Sequence, residues 1–546
     1  MVRDSFLSLN GEWSFTVTDG EKTETSKILV PFPPESMLSG YGKAIPTSAL
    51  MSYERSFVLP CGFVRSKVIL HFGAVDTLCE VFINGHSVAT HEGGYLPFSA
   101  DITDKLFFDK ENTVVVKVRD ALDKCYPYGK QKTKRGGMWY TPVSGIWQTV
   151  WLESLPDSYI EKLKITTDTK GATIKVFGAE DSKKRLVLDD STYEFSGNEI
   201  RITPKDAHLW SPEDPYLYNF DLYAGEDKVS SYFALREIGT SLIDGIPRLT
   251  LNGKPYLFNG LLDQGYFPDG IFLPATSDGY KDDILRAKAL GFNTLRKHIK
   301  IEPEIFYTLC DRLGMIVFQD MVNNSGYSFL FDTVLPTVGV KRLPDRFKHP
   351  SRRSRKIFID HSLATLDHLH NFPSVLYYTV FNEGWGQFCA DKLYKIIKEA
   401  DPTRIVDSTS GWFTRSLSDV DSRHVYFKRV KLSNKAPRRP VVISEFGGYS
   451  HRVEGHLFGS NNYGYRLFEE RSDFEEALFK LYGEEILPLI KKGISALVYT
   501  QISDVEDETN GLITYDRKVV KINEEYSRIL MEKLYSQLDE SRNTEE

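Results

Sequence analysis

Two glutamates stand where a carboxylate gains little from packing. Glu383 follows the apolar run Tyr377-Tyr378-Thr379-Val380-Phe381-Asn382, and Glu445 follows Val441-Val442-Ile443-Ser444. Each leads into glycine: Glu383-Gly384-Trp385-Gly386 and Glu445-Phe446-Gly447-Gly448. A carboxylate leaving an apolar strand into a glycine turn is placed to face a cleft. Either one alone reads as a strand-end acid satisfied by a nearby arginine. Two of them, on different strands of one domain, make a pair able to divide acid–base and nucleophilic work.

Such a pair needs a scaffold that gathers strand ends. After about residue 239 the hydrophobic period becomes helical, then alternates. Asp278–Leu290 carries Ile284, Ala287 and Leu290 at helical spacing and is stopped by Gly291. The strand Asn293-Thr294-Leu295-Arg296 follows, then a helix over Glu304–Leu313 and the strand Met315-Ile316-Val317-Phe318. A helix over Ile357–His370 leads into Val375–Val380, and later strands are Val441-Val442-Ile443 and Ala496-Leu497-Val498-Tyr499. This alternation predicts a (β/α)8 TIM barrel, whose active residues sit at the C-terminal ends of its strands. A doubly wound sheet also alternates, but no glycine-rich phosphate loop follows a first strand. The preceding chain reads as strands and turns: Val68–Phe72, Cys79–Ile83 with an Asn84-Gly85 hairpin, Thr113–Val118 and Ile146–Leu152, then Ala172–Phe177, Glu199–Ile202 and Tyr216–Leu222. The expectation is a β-sandwich over 1–155, an immunoglobulin-like β-sandwich over 156–238 and the barrel over 239–546.

Composition narrows the function classes. The chain has 546 residues, 41 % hydrophobic and 26 % charged, an ordinary globular balance. Its 68 basic and 75 acidic residues leave a net charge of −7, with no long basic run, which speaks against nucleic acid as a partner. No apolar run is long enough to span a bilayer, so no membrane partner is expected. The start, Met-Val-Arg-Asp-Ser-Phe, lacks a secretory apolar core, and the five cysteines are scattered, so the expected address is the reducing cytoplasm. Aromatic residues reach 13 %, in keeping with a β-rich core and with walls that stack on sugar rings.

Phe381-Asn382-Glu383-Gly384-Trp385 and Ser444-Glu445-Phe446-Gly447-Gly448 resemble the acid/base and nucleophile motifs of the family 2 glycoside hydrolases. Leu9-Asn10-Gly11-Glu12-Trp13, Phe82-Ile83-Asn84-Gly85, Glu92-Gly93-Gly94-Tyr95 and Ser144-Gly145-Ile146-Trp147-Gln148 resemble the family's sugar-binding jelly roll. Asn293–His298 and Tyr307–Gly314 resemble its barrel segment with a cleft arginine and histidine. The resemblance implies a retaining double displacement on a carbohydrate substrate, with Glu445 as nucleophile, Glu383 as acid and then base, and no metal or organic cofactor. It further implies that Asn382 binds the sugar 2-hydroxyl, that Arg296 keeps the nucleophile ionised, and that His298 and Tyr426 line the site. Trp385 and Trp412 are candidates for stacking on sugar, Asp320, Asp263 and Gln264 for binding hydroxyls. Asp120 resembles a jelly-roll aspartate that reaches the barrel mouth, although a surface turn aspartate is the simpler reading.

The chain also departs from the family. The Asn-x-Lys motif by which the β-glucuronidases clamp a carboxylate is missing between Tyr499 and Lys518, where an acidic stretch, Asp504–Gly511, stands instead. That stretch lacks an EF-hand pattern and reads as cleft rim, with some of its acids solvated. The strand-eight tryptophan is replaced by Tyr499-Thr500-Gln501. The expectation is an exo-β-glycosidase for neutral sugars, most like a β-galactosidase, with room for a homo-oligomer. The competing readings are β-mannosidase or arabinose-type specificity, β-glucuronidase, and a glycan-binding protein without catalysis.

Overall fold

Alternating apolar and polar residues fix which strand faces turn inward. In the computed structural model, which describes residues 1–337, 340, 345, 351–432 and 437–540, the N-terminal strands form two facing antiparallel sheets. The larger runs in the order Lys22–Val30, Gly11–Asp19, Leu50–Phe57, Asn112–Arg119, Leu78–Ile83, His86–Glu92. The smaller joins Phe6–Ser8, Val150–Leu155, Lys67–Phe72 and Phe98–Asp101. Trp13, Phe15, Tyr53, Leu70, Val81 and Val116 fill the space between them. The expected hairpin is present, with Asn84 and Gly85 at φ 50° and 82°, the left-handed pair that a two-residue turn requires. The run Ile146–Leu152 is not one strand. Gly145–Ile146 pairs with Val75–Asp76 and Val150–Leu155 with Lys67–Phe72, because Trp147 between them turns inward and donates its indole N–H to the Gly94 carbonyl at 2.7 Å.

A second sandwich packs a three-stranded sheet (Ile160–Thr167, Ala172–Gly178, Glu199–Ile202) on a four-stranded one (Lys184–Leu188, Ser191–Phe195, Tyr218–Ala224, Asp227–Phe233). The chain start ties the two sandwiches together: Val2 bridges Ser230, and Arg3 pairs with both Asp227 and Glu153.

The barrel strands, in order, are Phe258–Asp263, Thr294–Lys297, Ile316–Asp320, Val375–Thr379, Ile405–Asp407, Asp421–Val425, Val441–Gly447 and Ile494–Thr500. Each pairs parallel with the next and the eighth pairs with the first, leaving an unladdered seam between the fifth and sixth. A hairpin, Ile238–Ile243 with Ile246–Leu251, closes the bottom, where Arg248 donates to the carbonyls of Ile490 and Ile494. The period of two separates two cores. Phe258, Leu262, Phe318, Tyr377, Val442 and Val498 fill the barrel. Their neighbours Leu261, Leu295, Val317, Tyr378, Ile443 and Leu497 face the helices. Among the described residues, no helix is long and apolar enough to cross a membrane.

Candidate active site

Arg296 follows the outward Leu295 on the second strand and therefore points into the barrel, where it organises the floor of the site. Its Nε donates to Asp320 Oδ1 at 2.9 Å, Nη1 to Glu445 Oε1 and to the Ser444 carbonyl, both at 2.9 Å, and Nη2 to Asn382 Oδ1 at 2.8 Å. A guanidinium has only donors, so it fixes the Asn382 amide with its oxygen toward Arg296 and leaves the NH2 to face a ligand. Asp320, on the third strand, spends its second oxygen on His298 Nδ1 at 2.6 Å, which presents the other ring nitrogen. Burial pushes the His298 imidazole below its usual range despite that carboxylate.

Glu445 is buried, which opposes its charge. The opposing influences of His424, Arg296 and His298, and a hydrogen bond from the Tyr426 hydroxyl to Oε2, win, and its carboxyl is held down at about 2. Tyr426 also meets Thr500 Oγ1 at 3.1 Å and stacks on Tyr465 at 3.8 Å, so its ring is clamped. Glu383 stands across the site with φ 52°, a left-handed backbone that a glutamate adopts only when its surroundings hold it there; its N–H donates to the Ser410 carbonyl at 2.9 Å.

His424 joins the two carboxylates. Its Nδ1 lies 2.9 Å from Glu383 Oε1 and 3.4 Å from Glu445 Oε2, and its Nε2 lies 2.9 Å from Ser410 Oγ. One oxygen of each glutamate and this nitrogen all lie within 4.8 Å of one another, the one group of metal-ligand type among the described residues. A cation there would occupy both carboxylates. Sequence reasoning passed over His424, although it lies two residues before Tyr426, which directly follows the sixth strand, and the strand period puts the two on one face. Trp412 borders the same wall, 5.4 Å from the His424 ring and half-buried.

The remaining expected residues lie elsewhere. Asp263 is the register partner of Lys297, and both turn outward: Lys297 Nζ reaches Asp263 Oδ2 at 2.6 Å and lies 4.3 Å over the ring of Phe306 on the surrounding helix. Its carboxylate is committed to that ion pair and, through Oδ1, to the Gly265 N–H at 2.8 Å. Gln264, the next residue, is buried, and its Oε1 has no hydrogen-bond partner among the described residues. Trp385 is buried, donates to the Ser325 carbonyl at 3.0 Å and meets Trp139 edge-on at 5.2 Å, so it packs the junction between sandwich and barrel instead of stacking on sugar. Asp120 is not a surface aspartate; it is buried, accepting from Thr77 Oγ1 and the Leu122 N–H.

The acidic stretch after the eighth strand is buried throughout, not partly solvated. Asp504 pairs with Lys521 at 2.6 Å, and Arg135 lies 3.6 and 3.5 Å from Glu506 and Asp507. Glu508 accepts instead from Tyr140 and Gln501.

Removing the Tyr426 hydroxyl has a defined sign. A hydrogen bond to the ionised form lowers a carboxyl pKa, so Tyr426→Phe is expected to raise that of Glu445. The acid limb of the kcat/KM–pH profile then moves upward by about one unit. An unmoved limb, with folding at each pH checked by fluorescence, would break the link between Tyr426 and Glu445.

Residues 42–156 match the family described as glycosyl hydrolases family 2, sugar binding domain, and residues 246–521 match the TIM barrel domain of the same family. The chain is 25 % identical to a β-galactosidase of Thermoanaerobacter pseudethanolicus over 338 residues, covering 57 % of this chain and 44 % of that one. It is 27 % identical to the Rattus norvegicus β-glucuronidase over 502 residues, covering 79 % and 72 %. It thus spans less than half the length of the first. In fold it is similar to the β-D-glucuronidase of Dictyoglomus thermophilum, with a TM-score of 0.76 at 17 % identity and 98 % of each chain covered.

Proposed function

The chain belongs to family 2 of the glycosyl hydrolases, and on that premise we propose that it is a retaining exo-β-glycosidase releasing terminal neutral sugars, most like a β-galactosidase. The observation that carries the mechanism is the closeness of the two carboxylates, one oxygen of each within 4.8 Å of the other. Retaining enzymes place their carboxyl groups about 5–5.5 Å apart, and inverting ones leave about 6.5–9.5 Å for a water.

In the first step Glu445, ionised under Arg296, attacks the anomeric carbon while Glu383 delivers its proton to the glycosidic oxygen. The C–O bond to the leaving group breaks and a glycosyl ester on Glu445 forms. In the second step Glu383 takes a proton from water, the hydroxide attacks the same carbon, and the ester bond returns its electrons to Glu445. The free NH2 of Asn382 is placed for the 2-hydroxyl, whose contact strengthens in the transition state. His424, in contact with both acids, spaces them so that they flank the anomeric carbon through both steps.

A neutral sugar is supported by the buried acidic stretch after the eighth strand, which has no Asn-x-Lys motif to clamp a carboxylate. A cytoplasmic address is supported by five free cysteines. The test is initial rates on 4-nitrophenyl β-galactoside, β-glucoside, β-mannoside, β-glucuronide and α-L-arabinopyranoside beside a Glu445→Gln control. A dominant neutral-sugar rate that vanishes in the control supports the reading; a rate that survives in the control overturns it.

A further inference from the structure

The sandwich contributes one loop to the barrel mouth. Tyr128 and Gly129 donate their N–H groups to the Asn323 carbonyl at 3.1 and 3.2 Å, and the Tyr128 hydroxyl donates to the Ser325 carbonyl at 2.8 Å. Gly129 has φ +66°, and a Cβ on it would stand 2.9 Å from the Ile299 carbonyl, so only glycine permits this approach. The next residue, Lys130, therefore begins beside Ile299 and His298. It is half-buried, and among the described residues its ammonium has neither an ion pair nor a hydrogen bond. Its charge acts on both His298 and Glu508.

Glu508 is held from behind. Its Oε2 accepts from the Tyr140 hydroxyl at 2.7 Å and from Gln501 Nε2 at 2.9 Å, whereas Oε1 takes no hydrogen bond from the described residues. Gln501 directly follows Thr500, which touches Tyr426 and through it the nucleophile. Tyr140 belongs to the same sandwich loop, its N–H donating to the Lys130 carbonyl at 3.0 Å. Lys130, on the sandwich loop, and Glu508, after the eighth strand, are thus linked through Tyr140, yet among the described residues they make no ion pair with each other.

We infer that Lys130 and Glu508 form a two-sided clamp for sugar hydroxyls that selects a neutral sugar over a uronic acid, an inference that rests on the glycosidase reading above. A hydroxyl both donates and accepts, so neighbouring hydroxyls satisfy the ammonium and the carboxylate together by charge-assisted hydrogen bonds. A uronate carboxylate in the same place meets Lys130 favourably but is set against Glu508 and Glu445. Discrimination comes from leaving a buried charged group unpaired or facing a like charge, the device by which sites reject a close analogue.

The test uses the full chain carrying Glu508→Gln or Lys130→Met, assayed on the best neutral aryl glycoside of the panel and on the β-glucuronide. Glu508→Gln is expected to raise the glucuronide-to-neutral ratio of kcat/KM by about tenfold or more, and Lys130→Met to lower the neutral rate by about tenfold, chiefly through KM. Lys130→Arg, which keeps the charge, should recover part of that loss, which lost folding would not. Ratios unchanged within about twofold, equal loss on both substrates, or a native preference for the glucuronide would overturn the clamp. Calorimetric binding of the free neutral sugar and of glucuronate in a Glu445→Gln background reads the same selectivity without turnover. The clamp therefore stands or falls separately from the hydrolytic mechanism.

Discussion

Glu445→Ala is expected to lower kcat on every substrate by at least about 10^4-fold, in the range seen when the nucleophile of a catalytic unit is removed. The group lost is the one that forms the covalent intermediate, so no change of leaving group should restore the rate. The fold should survive, because Arg296 keeps its bonds to Asp320 and Asn382 and is not left as a lone buried charge. The space vacated beside Arg296 suits a small anion. Added azide should recover part of the turnover and yield the α-glycosyl azide, since the anion attacks from the face that Glu445 occupied. A rate within tenfold of the native one, or a β-azide product, would contradict the assignment of Glu445.

Glu383→Ala is expected to behave differently, and the contrast separates the two acids. A group that donates a proton matters in proportion to how badly the leaving oxygen needs one. Glycosides of poorly acidic alcohols should lose about 10^3–10^4-fold in kcat/KM, while a 2,4-dinitrophenyl glycoside should lose little. With that activated substrate the glycosyl ester accumulates, because no base now activates water, and a burst of dinitrophenolate should precede a slow steady state. Azide, which needs no base, should speed that steady state and give the β-glycosyl azide. An equal loss on both substrates, with no burst, would remove Glu383 from the acid/base role.

Much of this was legible in the sequence because it depends on local pattern. Strand ends leading into glycine located Glu383 and Glu445, and the alternation around Leu295 and Lys297 is enough to send Arg296 inward. The same period, applied one strand earlier, sends Asp263 outward beside its register partner Lys297; it was missed because a carboxylate at a strand end was weighed without its neighbour. Trp385 was misread for a related reason. Its loop position is visible in the sequence, but Trp139, which covers it, arrives from another domain. Lys130 and Glu508 carry no local mark at all. Their juxtaposition depends on how the sandwich loop docks through Asn323, a contact that neither segment encodes alone. His424 was within reach, since spacing alone puts it on the face of Tyr426.

The central claim is a double displacement through Glu445, and the anomeric configuration of the first-formed product tests it most directly. Hydrolysis of the best β-glycoside of the panel, followed by proton NMR before mutarotation, should show the β-anomer of the free sugar appearing first and the α-anomer only afterwards. An α-anomer appearing first would mean a single inverting displacement by water, and would contradict the account built on these two glutamates.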